Sequence, residues 1–538
     1  MNIKYACFPI LVVAAIVAAV AWAASSPVGR APHNVSPAPD DGFVAAVGRV
    51  DRFFQENWRA EQLTPANAAA DLSVLRRLSL ALHGTIPSLE EIREFEADDG
   101  ERRLDRWTAR MLADNRFADY FAERLARAFV GTDAGPFIIY RRDRFTGWLS
   151  DELKRNRPYD EIVRSLIAER GLWTGRPATN FITSAMADDK LDVNKLTGHS
   201  VRAFLGQRID CAQCHDHPFA EWKQQEFEGL ASFYGQAAVS IVGVEDDADK
   251  KYVIEDLTTE EKREVGPAVP FHPEWLPNEG NRRQRFAAWI THPDNRRFER
   301  AITNRVWGLL FGKPLFDPVD DLPHPESTDD PQLTALDILG ADFREHGYDL
   351  RRLIHVITAS APFRLASVHT TSDEDEFDLL GENWAVFPLT RLRPEQIIGA
   401  MLQAASIKTI DRNSHLLVRT VRWFRENDFV RDYGDLGEDE LQQRAGTIPQ
   451  ALLRMNGNLP NEAVSASPFN ASGRIAGFSG SDEKCIETCF LVSLTRRPSD
   501  EALKHFRGEL ADHDGERDPL VEDILWSLFN SPEFSWNH

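Results

Sequence analysis

The chain has 538 residues and a formal net charge of −22, with 62 Lys and Arg against 84 Asp and Glu. So acidic a surface disfavours DNA, RNA and anionic lipid, and suits a soluble protein that would steer a basic partner. Five cysteines are too few for a disulfide scaffold, so hydrophobic cores must hold the fold, and the length leaves room for two or three.

Met1 to Lys4 is short and weakly basic, Tyr5 to Val20 is apolar, and Ala21-Trp22-Ala23 fits the small-x-small cleavage rule. The pattern predicts a secretory signal peptide over residues 1–23, with an uncleaved anchor as the alternative. No later stretch is apolar enough to span a membrane. Residues 24–42 hold Pro27, Pro32, Pro37 and Pro39 and read as a flexible linker. Phe43, Val47, Val50, Phe54 and Trp58 then recur at helical steps, as do Leu72, Leu75, Leu78 and Leu82 before Gly84. Ser88 to Glu91 reads as a capping box. Further helices are expected around Trp107, Phe117–Phe129, Phe145–Leu153, Tyr159–Ile167 and Asp192–Leu205. Trp107, Trp148 and Trp173 fit a core better than a sugar-binding platform.

The helix ending at Gly206 leads into Cys211-Ala212-Gln213-Cys214-His215-Asp216-His217-Pro218-Phe219. Its first five residues spell C-x-x-C-H, the attachment sequence of a c-type haem. Two thiols at i and i+3 on one helical turn can add to two vinyl groups of one porphyrin edge. His215 is then the proximal iron ligand. At this chain's Cys and His frequencies, chance gives the pattern in about one of a thousand such chains, so chance explains it poorly. A Cys211–Cys214 disulfide and a single transition metal are the alternatives, with a plain structural turn behind them. Zinc would need a fourth ligand, and His217 is the nearest candidate. In the haem reading His217 is a proton-handling or supporting group, and the distal ligand comes from elsewhere, with His199 and Met186 the sequence-near candidates. Phe227, Leu230, Phe233 and Tyr234 follow as an apolar face that suits either a haem pocket or ordinary core.

Leu75-Arg-Arg-Leu-Ser-Leu80 with Gly84 and Pro87, Arg157-Pro-Tyr-Asp160, and Phe204-Leu-Gly206 running into Cys211–Phe219 resemble one family. It is the planctomycete cytochrome-C-like domain of unknown function. The second half resembles its C-terminal planctomycete partner domain. That likeness rests on Asn304-Arg-Val-Trp307, Leu310-Phe-Gly312, Asp317-Pro-Val-Asp-Asp321, Pro449-Gln-Ala-Leu452 with Asn456, and Asn530-Ser-Pro-Glu-Phe534. The resemblance implies no activity beyond what C-x-x-C-H itself suggests.

Ala237–Val244 and Lys251–Ile254 are β-branched segments around an acidic turn and predict a short hairpin. The proline-rich stretch 266–277 marks a break. Helices are expected again at Phe286–Ile290, Ala301–Phe311, Leu333–Phe343, Leu350–Ile357, Ile397–Ala405, Cys485–Leu494 and Leu520–Phe529. The fold class is therefore mainly α: helical domains at 43–237 and 280–538, with a minor hairpin in the connecting segment 238–279. The loop residues Asp317, Asp320, Asp321, His324 and Glu326 suit a hard cation or a plain capping loop. Cys485 and Cys489, four apart, suit two small buried side chains better than a metal half-site. The leading functional reading is an exported haem protein that exchanges electrons with a redox partner protein. A non-redox cell-envelope protein and a hydrolase with scattered catalytic groups are the other classes.

Overall fold

A computed structural model describes residues 40–133, 140–187, 190–255, 261–323, 331–406, 408–411, 428–437, 441, 446–468, 470–512 and 516–538. The signal-peptide expectation, most of the linker, and His324 and Glu326 of the acidic loop lie outside them. The fold is mainly α, with small two-stranded antiparallel sheets.

Helix α1 (Asp41–Ala60) opens on Asp40, whose carboxylate accepts the Phe43 N–H at 2.7 Å, and it buries Phe43, Val50, Phe54 and Trp58. α2 (Asp71–His83) ends at Gly84 with φ +67°, and α3 (Leu89–Ala97) starts on the Ser88–Glu91 capping box. Both ends follow the expected chemistry, a left-handed glycine stop and a reciprocal cap. α4 (Arg103–Ala113), α5 (Asn115–Val130), α6 (Arg142–Lys154), α7 (Tyr159–Ala168), α8 (Val193–Leu205) and α9 (Gln224–Ala231) complete the first half. Trp107 and Trp173 are buried there, and Trp148 packs against the core.

The second half carries α10 (Arg282–Ile290), α11 (Arg296–Phe311), α12 (Pro331–Glu345), α13 (Leu350–Ala359), α14 (Glu374–Glu382) and α15 (Pro394–Ala404). α16 (Ile448–Asn456), α17 (Ala471–Phe478), α18 (Asp482–Leu494), α19 (Asp500–Asp512) and α20 (Arg517–Asn530) follow.

The β structure departs from the expected pairing. β1 (Met186–Ala187) pairs with β2 (Lys190–Leu191), and β3 (Ala237–Ser240) pairs with β4 (Gly243–Asp246). β5 (Val253–Glu255) pairs with β6 (Lys262–Glu264), so the two β-branched segments each fold onto a neighbour and not onto one another. Gly243 sets this: its φ is +126°, and a Cβ there would lie 2.2 Å from the Gly171 carbonyl carbon. Only glycine allows both the turn and that approach. β7 (Thr390–Arg391) pairs with β8 (Trp536–Asn537).

The interior holds two hydrophobic clusters, and they do not divide at the proline-rich stretch. The first runs from Phe43 to Phe387, with Leu441 and Leu491, and includes α10 to α13; the second draws on residues between 392 and 534 together with Leu80 and Ile86. Aromatic pairs join the halves inside the first cluster: Phe233 stacks on Phe286 at 5.0 Å, Tyr159 on Phe298 at 5.4 Å and Phe54 on Trp307 at 5.8 Å. Arg76 of α2 joins the clusters, and Arg77 braces the first. Arg76 donates to the Ser493 carbonyl at 2.9 Å, and Arg77 donates to those of Phe363 and Leu365 at 2.9 and 2.7 Å. Among the described residues no helix is long and apolar enough to cross a membrane.

Candidate functional site

Helix α8 delivers the central motif. Asp192 caps its start by accepting the Lys195 N–H, and Gly206 stops it with φ +62°. A Cβ at Gly206 would lie 3.2 Å from Ala301 Cβ, so the chain leaves α8 pressed against α11. From there it is held by the loop after α11. Leu322 N–H donates to the Gly206 carbonyl at 2.7 Å, and Gln207 Nε2 donates to the Leu322 carbonyl at 3.2 Å. Arg208 Nε donates to Asp320 Oδ1 at 2.8 Å, where Asp320 is only 7 % exposed. Arg202 of α8 bridges two acids, 3.0 Å from Asp210 and 3.8 Å from Asp320. Asn304 fixes the loop in turn: its Nδ2 donates to the Phe316 carbonyl at 2.8 Å, and its Oδ1 accepts the Phe316 N–H at 2.9 Å. Asp320 therefore serves as an arginine acceptor, which is the plainer of the two roles open to the acidic loop.

Residues Asp210–Gln213 form a 3₁₀ turn, and the Cys214 N–H approaches the Cys211 carbonyl at 3.5 Å. Cys214 follows the turn as its C-terminal cap, three residues after Cys211. Both are free and exposed, while Ala212 between them is buried.

His215 Nδ1 lies 2.7 Å from the Asp216 carbonyl oxygen. A carbonyl only accepts, so Nδ1 carries the proton and Nε2 keeps its lone pair. This is the orientation that a histidine ligand needs. His217 is held the opposite way. Its Nδ1 accepts the Phe219 N–H at 3.2 Å, which places the proton of the neutral ring on Nε2. The His217 N–H closes the loop by donating to Trp222 O at 2.8 Å. Asp216 accepts the Gln224 N–H at 3.0 Å and the Lys223 ammonium at 3.2 Å, and these bonds hold its carboxyl below the usual range. Phe219, at the loop tip, is 95 % exposed.

Of the other predicted residues, Phe227, Leu230, Phe233 and Tyr234 are buried in the first core, and Tyr234 Oη bonds to Ser200 Oγ at 2.7 Å. Their face is core, not an open pocket. His199 and Met186 are half-buried, and among the described residues neither hydrogen-bonds to the Cys211–His217 stretch. Burial pushes His199 down to about 4, and its Nδ1 is buried without a partner. Cys485 and Cys489 are fully buried in the second core. Among the described residues no three or more His, Cys, Asp or Glu converge to hold a metal ion.

Sequence reasoning missed the Arg208–Asp320 clamp and the role of Gly198, where a Cβ would lie 2.6 Å from Asp210 Oδ1. A signal was present: Arg208 stands just ahead of the cysteines, and Asp320 belongs to the Asp317–Asp321 motif.

The three donors fit a c-type haem. Such a group takes each thiol at a separate carbon and the imidazole at the iron, so the side chains need not converge on one point. A mononuclear metal does need convergence.

Residues 49–238 match the family model PSCyt2, a protein of unknown function (DUF1549), and residues 282–419 match PSD1, a protein of unknown function (DUF1553). No curated protein and no solved structure matches the chain. The two models follow one another in the order the motifs imply, so the chain carries a PSCyt2 domain followed by a PSD1 domain.

Proposed function

We propose that the protein is an exported c-type haem carrier with an electron-transfer role, and that Cys211, Cys214 and His215 hold the haem. The observation that carries this reading is the His215 tautomer: its Nδ1 donates to the Asp216 carbonyl, which leaves Nε2 without a proton in the neutral ring, and two exposed thiols stand one and four residues before it in the chain. Cys211 and Cys214 would hold the group as thioethers, an attachment that needs both thiols reduced, as they are here. The bound group supplies one-electron chemistry at its iron. His215 binds and orients it, Ala212 anchors the turn in the core, and His217 offers Nε2–H as a proton donor nearby. Thioether attachment requires an extracytoplasmic compartment, which the expected signal peptide at 1–23 provides. The acidic surface suits a basic redox partner protein.

The test is expression with cytochrome c maturation machinery. A pyridine haemochrome spectrum of c type and an intact mass raised by one haem are expected. An unmodified mass with both thiols free rejects the proposal. A single transition metal is disfavoured by the lack of a convergent donor group among the described residues. Zinc retained by haem-free protein would reinstate it.

A further inference from the structure

A cavity of about 510 Å³ lies between α3, α17 and α18, and none of its lining residues belongs to the Cys211–His217 turn. Its charge runs against that of the molecule. Arg93, Arg474, Lys484 and Arg497 line it, against two carboxylates, Glu96 and Glu487. Arg497 already occupies both acids, with Nη1 2.6 Å from Glu96 Oε1 and Nε 2.7 Å from Glu487 Oε1. The acids at the start of α18 turn to other arginines: Asp482 to Arg517 at 2.8 Å and Glu483 to Arg507 at 2.7 Å. Among the described residues Arg93, Arg474 and Lys484 have no carboxylate partner.

Four cations against two carboxylates leave the lining with an excess of two positive charges, in a chain of net charge −22. Like charges gathered without counterions repel one another, and an anion among them relieves that repulsion. The rest of the lining sets Ser406, Ser479 and Thr488 among apolar side chains. Ile475, Leu491 and Val492 are buried beneath it, and Phe478 stands at the rim, 82 % exposed. The Arg474 guanidinium lies 5.9 Å from the Phe478 ring centroid. A volume of this size suits a metabolite-sized ligand, and apolar surface beside a few polar and charged groups is the usual make-up of such sites.

We propose that this cleft binds a small organic anion with a doubly charged head, as in a phosphate monoester, and an apolar body. Arg93, Arg474 and Lys484 hold the head, and Phe478 with the aliphatic floor packs the body. The proposal stands apart from the haem reading.

Phenyl phosphate is the probe, titrated into the full chain at low ionic strength by calorimetry, beside inorganic phosphate and phenol. Saturable one-to-one binding of phenyl phosphate is expected, tighter than either fragment alone. A double variant Arg474→Gln with Lys484→Gln should weaken it at least tenfold, and Thr488→Asp, which adds a carboxylate to the lining, should do the same. Lys262→Gln, on β6, should bind as the parent does. Thermal unfolding confirms that the exposed substitutions leave the fold intact. No saturable binding, binding retained within threefold in both cleft variants, or phenol binding as tightly as phenyl phosphate overturns the proposal. Inorganic phosphate binding as tightly as phenyl phosphate overturns the apolar half of it.

Discussion

His215 and His217 stand two residues apart, and opposite hydrogen bonds separate their chemistry. The first donates from Nδ1 to the Asp216 carbonyl, and the second accepts at Nδ1 from the Phe219 N–H. Only His215 therefore presents an Nε2 lone pair in its neutral form. In the haem reading this yields a sharp pair of expectations. His215→Ala in matured protein should alter the Soret and ligand-field bands strongly, since the proximal ligand is gone. His217→Ala should leave ligation intact. Loss of an axial ligand in His217→Ala, seen in the same absorption bands, would reverse the two roles. Asp216 has a different task, because its carboxylate ties the turn to the start of α9 through Gln224 N–H. Asp216→Ala should loosen that tie with little effect on the stability of the whole, as the site is fully exposed. Urea unfolding measures it, and a large drop in the midpoint would contradict this.

At the scale of elements, α8, the 3₁₀ turn and the loop after α11 act as one clamp. Asp320 is its centre, nearly buried and gripped by Arg208. Asp320→Ala leaves that arginine without its acid, and about 1–3 kcal/mol of stability should be lost, less than for a fully buried pair because Arg208 is partly exposed. Denaturant unfolding tests this, and a change within about 0.5 kcal/mol would place the clamp elsewhere. Gly198→Ala sets a methyl against the Asp210 carboxylate and should disturb the Arg202–Asp210 pair just before Cys211. These elements were legible to different degrees. Helix periodicity, the Ser88 capping box and the glycine stops at Gly84 and Gly206 are local signals, and the structure follows them. The β pairing depends on Gly243 meeting Gly171, a contact that no periodicity encodes. α19 is mostly polar and offered little apolar pattern to read. The C-x-x-C-H spacing was visible, but the bonds that orient its histidines are backbone contacts set by the turn.

At the scale of the whole molecule, the family motifs that were readable as strings turn out to join distant parts. Arg76 reaches a carbonyl 417 residues away, and Asn304 and Asp320 fix the loop that holds the Cys211 turn. Such long-range placement decides which polar groups end up buried, and so how stability depends on pH. His83, His199 and His355 are each pushed down to about 4, with burial as the first cause. In the unfolded chain they titrate near 6.5. A lowered pKa for a base means that the neutral form is favoured in the fold, so the stability is present above about pH 6.5 and is lost as the pH falls toward 4. Glu299 acts the other way. Burial pushes it up to about 7, so its cost is present above that pH and is relieved on acidification. Asp114 and Glu533, each held at about 2, enter mainly below pH 4. Between pH 7 and 5 three histidines therefore oppose one glutamate, and the thermal midpoint should fall. Glu299→Gln removes the opposing group, so the fall should steepen in that variant. Unfolding followed by circular dichroism at both pH values checks the pair. A midpoint that rises on acidification would contradict the histidine account, and an unchanged slope in Glu299→Gln would contradict the assignment to Glu299.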